Sequence, residues 1–325
     1  MEEFKYSSRR GFLTKIIFAA VSFQFLNSFS FFKKNQGFKS LTILHTNDMH
    51  SHIDSFPLNH SKYPGLGGIR RIASLVRKIK SQEKNVILLD AGDIFQGTPY
   101  FNKFKGSLEL KLMSNMGYVA STMGNHDFDN GIKGFNNVLH NANFPFLCSN
   151  YDFSNSELKN KTKKYLVKEI DGLKIGFFGL GIELNGLVEK RHFGETNYLD
   201  PIKTTHYWSE YLKYEERCNL VICISHLGYK YEDDKISDLK LAKLSKNVDV
   251  IVGGHTHTFL DKAVLIKNQE NKNVIVNQAG WGALSLGRID LKFSKNKEIL
   301  DSLSVNEISK KNYAIIWFFY RIKYF

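Results

Sequence analysis

The chain has 325 residues, 42% of them hydrophobic and 24% charged, which suits a globular protein with a sizeable core and excludes a disordered or collagen-like chain. The net charge of +13 sits mainly at the ends: residues 1–40 carry +5 and residues 309–325 carry +4, leaving +4 for everything between. This distribution gives little support to a nucleic-acid-binding face, and no nucleic-acid polymer is expected as partner.

The first elements in chain order concern targeting. Arg9 and Arg10 precede an apolar stretch from Ile16 to Phe32, the pattern of a twin-arginine export signal. Gln24, Asn27 and several serines make this stretch a poor permanent transmembrane helix, although an uncleaved anchor that touches the membrane stays open. Residues 1–38 are set aside as signal or anchor, and the expected location is periplasmic or the outer side of the inner membrane.

From Leu41 the chain alternates apolar strand-like runs with amphipathic segments. The strand candidates are "LTILHT" (41–46), "NVILLDAGD" (85–93), "VASTMGNHD" (119–127), "KIGFFGLG" (174–181), "NLVICISHLG" (219–228) and "VDVIVGGHTH" (248–257). Unbroken apolar runs of this length fit strands buried on both faces. Between them, "GGIRRIASLVRKIKSQEK" sets Ile69, Ile72, Ala73, Val76 and Ile79 on one helical stripe. "SLELKLMSNMG" predicts a stripe of Leu108, Leu112 and Met116 with Gly117 as cap, and "ISDLKLAKLSKN" one of Leu239 and Leu244. "VIVNQAGWGALSLGRIDLKF" reads as two short strands joined by a glycine-rich turn, an antiparallel pair. The alternation predicts an α/β layered domain over 39–306. The basic, aromatic tail 307–325 has no assigned role.

Ligands in open α/β sheets gather beyond the carboxyl ends of strands, which is where this chain keeps its polar residues. The successive ends offer Asp48 and His50, then Asp93, then Asn125, His126 and Asp129, then His226, and finally His255 and His257. Two divalent ions close together need about seven such donors, one of them shared. Asp93 is the natural bridge, because a carboxylate has two oxygens and neutralises charge between cations. Imidazole with carboxylate suits zinc, manganese or iron better than calcium. Of the rest, His52 reads as lying near the site without coordinating, Asp127 as capping the following turn, and His45 as structural. His60, His140, His192 and His206 read as surface. Cys223 reads as a buried apolar side chain, and a Cys148–Cys218 bridge is left open.

"LHTNDMHSH", "LLDAGDIFQGTPY", "TMGNHDFDNG", "SHLG" and "GGHTHT", in this order, resemble the metallophosphatase domain of the 5′-nucleotidase family within the calcineurin-like metallophosphoesterases. The likeness spans roughly residues 41 to 295. It implies a four-layer αββα sandwich of two mixed β-sheets flanked by helices, and hydrolysis of nucleotides or related small phosphate esters. It assigns Asp48, His50, Asp93 and His257 to one metal, and Asp93, Asn125, His226 and His255 to a second. Asn125 and His126 would contact substrate, with Asp129 orienting the His126 ring as catalytic partner. Phosphodiester or sugar-nucleotide pyrophosphate hydrolysis is the alternative chemistry. A non-catalytic metal-binding subunit is the contrary reading, against which none of the seven expected ligands is missing. The family's nucleoside-binding domain has no counterpart here, so a separate substrate-recognition chain is expected as partner.

Overall fold

A computed structural model of the chain describes residues 39–308. The export signal and most of the tail read from the sequence lie outside the described residues. Among these residues no helix is long and apolar enough to cross a membrane.

Among the described residues, thirteen strands follow in chain order. The first six are β1 (Lys39–Thr46), β2 (Val86–Asp90), β3 (Ala120–Ser121), β4 (Tyr151–Asp152), β5 (Tyr165–Ile170) and β6 (Leu173–Leu180). Then come β7 (Asn197–Tyr198), β8 (Leu220–Ser225), β9 (Val250–Gly253), β10 (Val264–Lys267), β11 (Asn273–Gln278), β12 (Ser285–Phe293) and β13 (Ile299–Ile308). One sheet has the order β13-β12-β1-β2-β3 and the other β10-β11-β9-β8-β6-β5, with β4 and β7 forming a small separate pair. β1, β2 and β3 are parallel, as are β6, β8, β9 and β11. β5 and β10 run antiparallel at the edges of the second sheet, and β13 does so beside β12 in the first.

The period of two along each strand sorts side chains into layers. Leu41, Ile43, Ile87 and Leu89 of the first sheet meet Ile175, Phe177, Ile222, Ile224, Val250 and Val252 of the second in one buried core between the sheets. The alternate residues face outwards. Leu44 and Leu88 pack beneath the helices Ile69–Gln82, Ser107–Met116 and Gly131–Val138. Val221, Cys223 and Ile251 pack beneath Leu212 and the helix Asp238–Leu244. The result is the αββα sandwich of two mixed sheets, and two-sided burial explains the unbroken apolar runs.

Three local expectations change. In Ser107–Met116 the buried side chains are Glu109, Leu110 and Met113, while Leu112 and Met116 pack only partly against the core. The helix is rotated so that its acid turns inward, which an apolar stripe cannot anticipate; Gly117 does cap it, at φ 75°. In Asp238–Leu244 the buried side chains are Asp238, Leu241 and Ala242; Leu239 packs partly against the core as expected, but Leu244 is exposed. The third change is the largest: β11 and β12 do not pair. β11 lies parallel to β9, whereas β12 belongs to the first sheet, so residues 279–284 cross from one sheet to the other. Gly287 lets β12 lie beside β1, because a Cβ there would fall 2.1 Å from His45 Nε2. All three cysteines are buried and free, so the Cys148–Cys218 bridge is not formed.

Candidate metal centre

The parallel strands end on one edge of the sandwich, and the loops that leave them are bent by left-handed backbone. Asp48, His50, Ser51, Asp93, His255 and His257 all have φ between 47° and 74°. Non-glycine residues in this region cost about 1–3 kcal/mol each and persist only where surroundings enforce them. Here the enforcement is visible. The buried Asp127 carboxylate accepts backbone N–H bonds from Asp93 (3.0 Å), Ile94 (3.0 Å), Phe95 (3.3 Å) and Gly124 (2.8 Å). Asp127 is thus a cap, but of the loop carrying Asp93 and not of the turn that follows it. The left-handed Asp93 turns successive amides toward one point, and a carboxylate fills it. His255 N–H likewise donates to Asp48 Oδ2 (2.9 Å), tying the last loop to the first.

Two donor triads result. Asp48, His50 and His257 offer donor atoms within 4.8 Å of one another, and so do Asp93, His226 and His255. The triads adjoin: His50 Nε2 is 3.0 Å from His257 Nε2 and 3.9 Å from both Asp48 Oδ1 and Asp93 Oδ2. Asn125 Oδ1 lies 2.9 Å from His255 Nδ1. Gly124 makes the convergence sterically feasible, since a Cβ there would sit 2.2 Å from Asp93 Oδ1 and 2.6 Å from His226 Nε2.

The donor set fits divalent cations. His226 Nδ1–H donates to Ala91 O at 2.6 Å, which aims Nε2 into the pocket. That atom is fully buried and lacks a hydrogen-bond partner; Asp93 Oδ2 is 3.1 Å away but out of alignment. Burial opposes a charged ring at His226, yet Asp93 and Asp48 outweigh it and lift its pKa to about 10. The pocket therefore has an excess of negative charge. Burial lowers the pKa of His50, and that of His255 to about 4, which favours the neutral imidazole that can present a lone pair.

Beside the triads, His126 Nδ1 is 2.9 Å from Asp129 Oδ2, and its backbone N–H donates to Asp93 Oδ1 at 2.7 Å. The Asp129 hydrogen bond outweighs partial burial and raises the His126 pKa. The other histidines are outside the two triads, and His52 is near them, edge-on to Trp281 at 5.5 Å. His52 stacks on Phe56 at 4.2 Å, and buried His45 meets Asn277 Nδ2 across the sheets. His60 is not a bare surface residue: its Nδ1 accepts from Tyr63 N at 2.9 Å and shapes the neighbouring loop. His140 is exposed, His192 is half-buried, and His206 reaches Leu244 O.

Two contributors escaped the sequence reading. Asn47 donates to Asp48 Oδ2 (2.6 Å) and Gly280 O (2.6 Å) and accepts from Ala279 N (2.9 Å), clamping the crossover to the first loop. Trp281 stacks on His257, centroids 5.3 Å apart and planes 9° from parallel. Adjacency to Asp48 is a signal for Asn47; for Trp281 there is none, because its loop reads as a hairpin turn.

Residues 41–259 match the calcineurin-like phosphoesterase family. The chain belongs to that family. Among calcineurin-like phosphoesterase relatives, it is 32% identical to the trifunctional nucleotide phosphoesterase YfkN of Bacillus subtilis, over 85% of this chain and 20% of that protein. It is 31% identical to the 5′-nucleotidase of Homo sapiens, over 81% of this chain and 48% of the other. The solved 5′-nucleotidase precursor from Thermus thermophilus superposes with a TM-score of 0.76 at 31% identity, covering 83% of this chain and 55% of that one. The chain thus spans about half the length of these 5′-nucleotidases, and a fifth of the Bacillus protein.

Proposed function

We propose that residues 39–306 form the catalytic region of an exported, divalent-metal phosphoesterase of 5′-nucleotidase type, releasing phosphate from nucleotides. The observation that carries this reading is the meeting of two Asp/His triads around the unpartnered Nε2 of buried His226. Asp48, His50 and His257 would hold one cation and His226, His255 and Asn125 a second, with Asp93 shared; zinc, manganese and iron suit these donors. When bound, such ions supply an acidified water and screen the charge of a phosphate ester.

The chain's own groups do the remaining work. His126, whose pKa is raised by the Asp129 hydrogen bond, would donate from its other ring nitrogen to a phosphoryl oxygen or to the departing alkoxide. Its backbone link to Asp93 fixes that donor relative to the pocket. Asn125 provides a neutral contact to the phosphate beside it. Export rests on Arg9, Arg10 and the apolar stretch after them.

Protein purified without added metal, then loaded with manganese or zinc, is expected to bind two equivalents and release phosphate from AMP. Failure to bind metal, or bound metal with no phosphate release from any nucleotide, would overturn the reading. A second reading is cleavage of phosphodiester or sugar-nucleotide pyrophosphate bonds, favoured by likeness to the NAD nucleotidase of Haemophilus influenzae, 27% identical at a TM-score of 0.71. A panel of nucleoside monophosphates, cyclic nucleotides and dinucleotides separates the two.

A further inference from the structure

The imidazoles around the pocket are not held alike. His226 Nδ1 is anchored on Ala91 O at 2.6 Å and His50 Nδ1 on Phe95 O at 3.3 Å. His255 Nδ1 faces Asn125 Oδ1. Among the described residues, no hydrogen bond holds Nδ1 of His257. Its side chain is 40% exposed, against 6% for His50 and none for His226, and it stands on a left-handed residue in a surface loop. Its Nε2 is aimed into the pocket, 3.0 Å from His50 Nε2 and 3.4 Å from Asp48 Oδ1, but its outer edge has no hydrogen bond to set the plane of the ring.

What faces the ring is Trp281, nearly parallel to it. The indole is itself fixed. Phe56, His52 and Tyr63 meet it edge-on at 5.4, 5.5 and 6.2 Å. The crossover that carries it is pinned to the first loop by Gly282 N–H donating to Asp48 O at 2.7 Å and by the Asn47 clamp. A flat, immobile surface parallel to an imidazole restricts it to the orientation that lays ring on ring, and offset stacks at this separation are attractive.

We propose that Trp281 is the positioning residue for His257, an aromatic stack standing where a hydrogen bond orients the other ring donors. Trp281 does not touch the reacting atoms; it fixes the plane of one donor so that its lone pair meets the cation held with Asp48 and His50. The proposal rests on the two-cation reading of the pocket. It predicts an asymmetric effect. The indole's ring contacts within the pocket are to His257 and His50, and none joins it to His226 or His255 among the described residues.

The test compares Trp281→Leu, which keeps apolar bulk without a flat face, with Trp281→Phe, which keeps the face. Manganese titration of the apoprotein is the readout, with thermal melting of each apoprotein as the folding control. Trp281→Leu is expected to weaken one of the two equivalents by about tenfold and leave the other unchanged, the size typical of losing a partner that orients a ligand. Trp281→Phe should restore wild-type affinity. In a His257→Ala background, Trp281→Leu should cause no further loss, since the residue it acts through is gone. Wild-type affinity in Trp281→Leu, failure of Trp281→Phe to restore it, or an undiminished loss in the His257→Ala background would each overturn the assignment. A wild-type protein that binds no metal would instead overturn the proposed function.

Discussion

The two sheets make unequal contributions to the pocket. Loops of the first sheet carry Asp48, Asp93, Asn125, His126 and His50, and so all of the carboxylate charge in the triads. Loops of the second carry His226, His255 and His257, nitrogen donors only. Each triad draws on both sheets: His257 completes Asp48 and His50, while His226 and His255 complete Asp93. Neither sheet alone assembles a cation site. The pocket is therefore a property of the packed sandwich, and the apolar core between the sheets sets its dimensions as directly as the donors do.

Removing Asp93, the carboxylate proposed to be shared, attacks that arrangement most severely. Asp93→Ala is expected to abolish phosphate release and to lose both metal equivalents, measured by metal analysis after desalting. His126→Ala should lower turnover by about 10²–10⁴-fold, as for loss of a general acid, while keeping metal. Equal turnover in this variant and the wild type would remove His126 from the proposed chemistry. Phe177→Ala probes the inter-sheet core far from any donor. It should cost about 3–5 kcal/mol in denaturant unfolding, and its folded fraction should bind metal more weakly.

The mildest change is Asp129→Asn. The Asp129 hydrogen bond raises the His126 pKa, so the protonated ring is present below that pKa and is lost as pH rises through it. Asn favours the charged ring less, and the basic limb of the pH–rate profile should move to lower pH with metal content unchanged. A limb that stays in place would detach Asp129 from the behaviour of His126.

Much of the candidate site could be located in advance because each donor lies just after an apolar strand run, a local and periodic signal. The same logic captured the layered α/β class, since runs without polar alternation require cover on both faces. It failed where two segments far apart in sequence meet. Asp127 looked like a local cap because it precedes a turn, yet its four backbone donors belong mainly to another loop. Glu109 turned inward, and the stripe of Leu108, Leu112 and Met116 slipped with it. The β11–β12 connection looked like a hairpin because proximity in sequence is the only pairing evidence a single chain offers.

Residue types and their order along the chain were sufficient to determine the class of fold and to mark the strand ends that carry candidate donors. Partner strand, loop handedness and the orientation of each ring were decided only by the tertiary structure. Periodicity reports which face of an element is buried, but which element buries it depends on long-range packing. That packing sends residues 279–284 across the sandwich edge, and in doing so lays Trp281 against His257.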